Sequence, residues 1–170
     1  FEAMLPYFRE EFGNPSSVHT FGQQAEAALD TARQVIADRL NARPNEIVFT
    51  SGGSESDNLA LRGVALAQRA RSQANHLLVS PVEHPAVLAT ARQLEERFGF
   101  EVDVLPVDAF GRVDPQDVEA SLRPNTALVS VIHANNVLGT INPIDEIGQI
   151  CRRRNVPFYS DAVQAAAPLP

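Results

Sequence analysis

The sequence has no lysine: all 14 of its basic residues are arginine. Any chemistry that needs a lysine amine therefore cannot draw it from these residues. Lysine is ordinarily among the commonest residues, so its absence also points to a biased genome composition. Cysteine is scarce as well. With Cys151 alone there can be no internal disulfide, which fits a reducing cytoplasm. No stretch approaches the ~20 apolar residues of a membrane span. The N-terminus lacks the basic-then-apolar layout of a signal peptide. Positive charge is in deficit, with a formal net charge of -7. The one basic cluster, Arg152, Arg153 and Arg154, ends a predicted helix, where cations cover the last carbonyls. Neither nucleic acid nor an anionic membrane is expected as the main partner. The chain starts at Phe1, in what reads as the middle of a helix, and stops on Pro168-Leu169-Pro170. Both ends are expected to lie inside a longer polypeptide.

A hydrophobic content of 44% over 170 residues is enough to bury the core of one domain, or of a large part of one. Ala25, Ala28, Leu29, Ala32, Val35, Ile36 and Leu40 fall on one face of a helix. Strands are predicted at Ile47 to Thr50, His76 to Ser80, Val102 to Val107, Ala127 to Ala134 and Val156 to Asp161. Each is short and apolar without strict alternation, as in strands buried on both faces. Helices are predicted from Ser54 to Arg71, from Pro85 to Phe98, after the Asp114-Pro115 cap to Leu122, and along the apolar face Ile144, Ile147, Ile150, Cys151. Cys151 on that face reads as a buried, inert thiol. Strands recur every ~25–30 residues, the length of a βα unit, so the pattern predicts a mostly parallel sheet.

Thr50 to Asn58, reading TSGGSESDN, carries a strand into a helix through two glycines. Free N–H groups at Gly52, Gly53 and Ser54 would converge there and suit a phosphate, although the same residues also serve as plain turn chemistry. In a parallel sheet, ligands bind beyond the carboxyl ends of the strands. That edge collects Thr50 to Ser54, Glu83 and His84, Asn135 and Asn136, and Asp161 with Gln164. Bland readings exist for each. His84 before Pro85 suits a polar loop, and Asn135-Asn136 ahead of Gly139 suits a turn. Asp161 ends an apolar run, where a carboxylate needs a cation or a helix to cap. His133 reads as a structural residue within its strand. A metal site from Glu83, His84, His133 and Asp161 lacks tight ligand spacing.

GNPSSVHTFG at Gly13 to Gly22, FTSGGSESDN at Phe49 to Asn58, VEHPAV at Val82 to Val87, NNVLGTINPI at Asn135 to Ile144 and DAVQ at Asp161 to Gln164 stand in the order and spacing of the NifS/IscS-like cysteine desulfurases. The chain resembles these class V, fold-type I enzymes along essentially its whole length. The resemblance implies an α/β fold: part of the mostly parallel-sheet, three-layer large domain of pyridoxal phosphate-dependent transferases. It implies pyridoxal 5'-phosphate as cofactor, with its phosphate at Gly53 and Ser54, His84 stacked on the pyridine and assisting proton transfer, and Asp161 paired with the pyridine nitrogen. Gln164 would bond the ring hydroxyl, and Asn136 would reach the cofactor and substrate side. It also implies L-cysteine as substrate, alanine as product, sulfur passed through an enzyme cysteine persulfide to an acceptor protein for iron–sulfur cluster or other sulfur biosynthesis, and a cytoplasmic homodimer.

The chain departs from the family pattern in several places. The family's cofactor-bearing lysine, its sulfur-accepting cysteine loop and its small C-terminal domain correspond to no part of residues 1–170. On this reading the segment is the N-terminal part of the large domain, and Cys151 is not the sulfur acceptor. Val137-Leu138-Gly139-Thr140 and Ala167-Pro168 are more similar to the SufS and selenocysteine lyase branch. Selenocysteine lyase or another class V chemistry is therefore an alternative. A non-catalytic binding module built on the same core is an alternative of a different class. The resemblance further predicts that Ile47 to Thr50 lacks its neighbouring strands here. The isolated chain is then expected to aggregate, dimerise or be marginally stable.

Overall fold

The structure, a computed structural model, describes residues 1–166; Ala167-Pro168 and the terminal Leu169-Pro170 lie outside the described residues. The chain divides into two compact units, Phe1–Phe49 and Thr50–Pro170. The first holds α1 (Leu5–Arg9) and α2 (Thr20–Arg39). His19 caps α2, its ring Nδ1 accepting from Gly22 N–H at 3.3 Å. Along the predicted apolar stripe, Leu29, Val35, Ile36 and Leu40 stay exposed. The expected strand at Ile47 to Thr50 does not form. Ile47 has an extended backbone, but no strand pairs with it. Instead Arg33 donates to Ile47 C=O at 2.5 Å and lies 4.8 Å over the Phe49 ring.

The second unit alternates helix and strand: α3 (Gly53–Ser72), β1 (His76–Val79), α4 (Pro85–Phe98), β2 (Glu101–Val104), α5 (Pro115–Ser121), β3 (Thr126–Ser130), α6 (Ile144–Arg153) and β4 (Phe158–Tyr159). The four strands form one sheet in the order β2-β1-β3-β4, every pair parallel. Proline at the first helical position with a polar residue before it fixes two starts. His84 Nδ1 accepts from Ala86 N–H at 3.1 Å, and Asp114 Oδ1 from Gln116 N–H at 2.8 Å. Gly99, in the left-handed region at φ 66°, closes α4.

The sheet is the middle of three layers. On one face Leu77 and Val79 of β1 pack with Leu61 and Ala65 of α3 and with Val87, Ala91 and Leu94 of α4. On the other, Leu78 and Val129 pack with Val118 of α5 and with Ile147, Ile150 and Cys151 of α6. Alternate residues of β1 thus feed opposite cores, and β1 and β3 are buried throughout. The edge strand β2 is half exposed, and Arg123 ties Glu101 to Asp103 across its outer surface. Arg152 and Arg153 occupy the last turn of α6, as the dipole favours. The strand expected from Ala127 to Ala134 ends at Ser130, so His133 lies beyond it. There its backbone joins two loops: His133 N–H donates to Asp161 C=O at 2.9 Å, and Asn142 N–H to His133 C=O at 2.8 Å.

Candidate functional site

A cavity of about 250 Å³ opens beyond the carboxyl ends of β1, β3 and β4. Gly53, Ser54, His84, Asn136, Asp161 and Gln164, the residues singled out from the sequence, all line it, together with Asp57, Ile132 and Val163. Their convergence follows from topology. Parallel strands deliver their following loops to one edge, and α3 presents its N-terminus to the same edge.

At α3 the N-cap is Gly52, and no side chain caps the helix. Ser51 N–H and hydroxyl instead bond to Glu55 at 2.7 and 2.6 Å. The amides of Gly53 and Ser54 are thereby left to whatever fills the cavity, at the positive end of the helix dipole. Gly52, included in the predicted cluster, does not line it. Space at Gly53 is tight: a Cβ there would stand 3.1 Å from Val163 Cγ2, which would have to shift by a few tenths of an ångström.

The two asparagines divide the roles that the sequence left open. Asn135 builds the turn, its Oδ1 accepting from Val137 and Leu138 N–H at 2.9 and 2.7 Å while its amide donates to Val82 C=O at 2.7 Å. Asn136 faces the cavity. Asp161 does cap the chain after β4, with Oδ1 accepting from Val163 N–H at 2.9 Å. It is nonetheless a cavity residue, only 8% exposed. His84 is likewise both helix cap and cavity wall. Because its Nδ1 accepts from Ala86 N–H, the neutral ring carries its proton on Nε2.

The sequence did not disclose Asp57. It is 2% exposed, accepts a hydrogen bond from the Tyr159 hydroxyl at 2.5 Å, and lies 3.9 Å from His84 Nδ1. Its place one turn after Gly53 on α3 was the available signal. Burial holds the Asp57 carboxyl above its ordinary value, the Tyr159 hydroxyl pulls it back, and Asp161 and His84 act in opposite senses. Tyr159 is raised by burial and by the same hydrogen bond to Asp57. Among the described residues, no arginine lines the cavity. It therefore offers the Gly53 and Ser54 amides, the Asp57 and Asp161 carboxylates and the His84 imidazole to one ligand. Cys151 lies elsewhere, in the core beneath α6, where burial pushes its thiol up to about 11.

The class-V aminotransferase model matches residues 1–170, the whole sequence. The chain belongs to the class-V aminotransferase family. Among curated relatives of this family member, the cysteine desulfurase IscS of Dictyoglomus turgidum is 46% identical over 170 residues, covering 100% of this chain and 42% of the relative. That of Anaeromyxobacter sp. is 51% identical, over 99% of this chain and 41% of the relative. Among solved structures, SspA in complex with cysteine superposes with a TM-score of 0.88 at 43% identity, over 96% of this chain and 46% of that one. DndA from Streptomyces lividans gives 0.88 at 39% identity, over 96% and 45%. The family member described here thus spans about 42% of the length of the curated relatives it matches. No helix among the described residues is long and apolar enough to cross a membrane.

Proposed function

We propose that this chain is the N-terminal part of the large domain of a pyridoxal phosphate-dependent cysteine desulfurase, which converts L-cysteine to L-alanine and passes the sulfur to an enzyme cysteine. The observation that carries this reading is the single cavity that gathers the helix amides of Gly53 and Ser54, the His84 ring, Asn136, Asp161 and Gln164. That donor set fits the cofactor. Uncapped amides suit a phosphate, a buried carboxylate suits a protonated ring nitrogen, and a Cβ at Gly53 would crowd Val163, a neighbouring cavity residue. When bound, pyridoxal phosphate supplies an electron sink for charge developing at the substrate α-carbon.

The chain's own residues do the rest. Gly53 and Ser54 would hold the phosphate. Asp161 would orient and charge-match the ring nitrogen, and its bond to Val163 N–H holds its carboxylate in place. Gln164 would bond the ring hydroxyl, and Asn136 would reach the cofactor and substrate side of the cavity. His84 would stack on the ring, and its N–H at Nε2 would hold or deliver a proton at the reacting centre. The lysine that would anchor the cofactor must come from polypeptide beyond these residues, since the sequence has none. The sulfur acceptor is a cysteine other than the buried Cys151. The reading extends to a cytoplasmic homodimer that hands sulfur to an acceptor protein.

The test is anaerobic incubation of the full-length polypeptide with L-cysteine, and separately with L-selenocysteine, quantifying alanine. Alanine from cysteine with a persulfide on the protein supports the desulfurase. Alanine from selenocysteine alone points to a lyase, a reading favoured by Val137-Leu138-Gly139-Thr140. Alanine from neither, with no cofactor bound, leaves a binding module.

A further inference from the structure

Behind the cavity wall lies a carboxyl group that the proposed chemistry does not use. Glu83 is 6% exposed, and its Oε1 accepts from Ile132 N–H at 2.6 Å. Its other oxygen is buried without a hydrogen-bond partner, as is Ser130 Oγ. The nearby Ser130 hydroxyl favours the ionised form of the Glu83 carboxyl. The groups around it are acidic or neutral: Asp57 from α3, Asp161 from the turn after β4, Tyr159 on β4, Ser130 on β3, and the neighbouring His84. A buried carboxylate with no cation and two acidic neighbours lowers its free energy by taking up a proton.

Its bond to Ile132 has a structural result. His84 and Ile132 both line the cavity, one from the loop after β1 and the other from the segment after β3. Glu83 clamps the two together, and the bond from Asn135 to Val82 makes a second tie nearby. We propose that Glu83, held as a neutral carboxylic acid, is the positioning residue that fixes His84 and Ile132 as one wall of the cofactor cavity and keeps a third negative charge away from it. The inference rests on the cofactor reading above for what the cavity holds, but not for the state of Glu83. Burial pushes this carboxyl up to about 8, with Asp161 and Asp57 adding to the rise and the Ile132 N–H and the Ser130 hydroxyl opposing it. Ionisation above that pH would set a third carboxylate beside Asp57 and Asp161, against an anionic cofactor.

The test uses the full-length polypeptide as wild type, E83Q and E83A. Glutamine keeps the acceptor for Ile132 N–H and cannot ionise, whereas alanine leaves that N–H unpaired. In the apoprotein at pH 7, the infrared difference between wild type and E83Q is expected to show the carbonyl band of a protonated acid. That band should vanish as the pH passes about 8. Pyridoxal phosphate affinity, followed by absorbance, should fall in wild type over the same range. E83Q should match wild type at pH 7 and show no such fall, while E83A binds on the order of tenfold more weakly throughout. Absence of the acid band, an unchanged alkaline fall in E83Q, or wild-type affinity in E83A would each overturn the proposal. If E83A does not fold, E83Q and the infrared band decide it. Wild type that binds no pyridoxal phosphate at any pH overturns the cofactor reading instead, and the band still reports whether Glu83 is neutral.

Discussion

Replacing Tyr159 with phenylalanine removes one oxygen and leaves the ring in place, so it isolates the hydrogen bond to Asp57. That bond joins β4 to α3 across 102 residues of sequence and ends on a carboxylate that is nearly inaccessible to water. A hydrogen bond to a charged group contributes ~1.5–3 kcal/mol, against ~0.5–1.5 for a neutral pair. The Asp57 carboxyl already sits above its ordinary value of 3.8 because of burial, and the Tyr159 hydroxyl is what pulls it down. Removing the hydroxyl pushes it higher still. A carboxyl raised on folding stabilises the fold below its unfolded value, and that stabilisation is lost as pH rises through the folded value. The variant should therefore trail the parent by only the neutral-pair amount, ~1 kcal/mol, near pH 4, and by ~2–3 kcal/mol at pH 7. Hydrogen exchange in peptides covering α3 and β4 of the full-length polypeptide, corrected for intrinsic rates, reads this difference locally. A gap that stays constant from pH 4 to 7, or is below ~0.5 kcal/mol at neutrality, would show that Asp57 is not a buried charge held by Tyr159.

Asp161→Asn should still bind pyridoxal phosphate but turn over L-cysteine at least ~100-fold more slowly, because an amide does not stabilise a protonated ring nitrogen; cofactor titration beside alanine release separates the two effects. Gly53→Val should weaken cofactor binding sharply and Gly53→Ala less so, since even a Cβ would lie 3.1 Å from Val163 Cγ2; absorbance titration checks the order. Cys151→Ser should leave sulfur transfer intact, and the native thiol, raised to about 11, should resist a thiol reagent at pH 8 until denaturant is added. Leu94→Ala, at a fully buried position between α4 and the sheet, should cost ~2–5 kcal/mol in denaturant unfolding.

Sequence patterns revealed the elements whose signals are local. Proline and the polar residue before it marked α4 at Pro85 and α5 at Pro115, and apolar runs marked β1 and β3. Ile47 to Thr50 has strand composition yet forms no ladder, because pairing needs a neighbouring strand that composition does not supply. His133 was assigned to a strand because apolar residues continue past Ser130, but the ladder with β4 ends there. At the site, the residues that follow a strand end were legible as a class, since parallel topology fixes their address. Asp57 and Tyr159 were not, because their meeting depends on packing between distant elements. Asn135 and Asn136 could not be told apart from sequence, where a turn builder and a cavity residue look alike.

A crystal structure of the full-length polypeptide grown with pyridoxal phosphate would show whether this one cavity holds the cofactor. The phosphate is expected on the Gly53 and Ser54 amides, the ring against His84, and the ring nitrogen within hydrogen-bond distance of Asp161. A cofactor bound elsewhere, or one whose nitrogen faces away from Asp161, would contradict this placement.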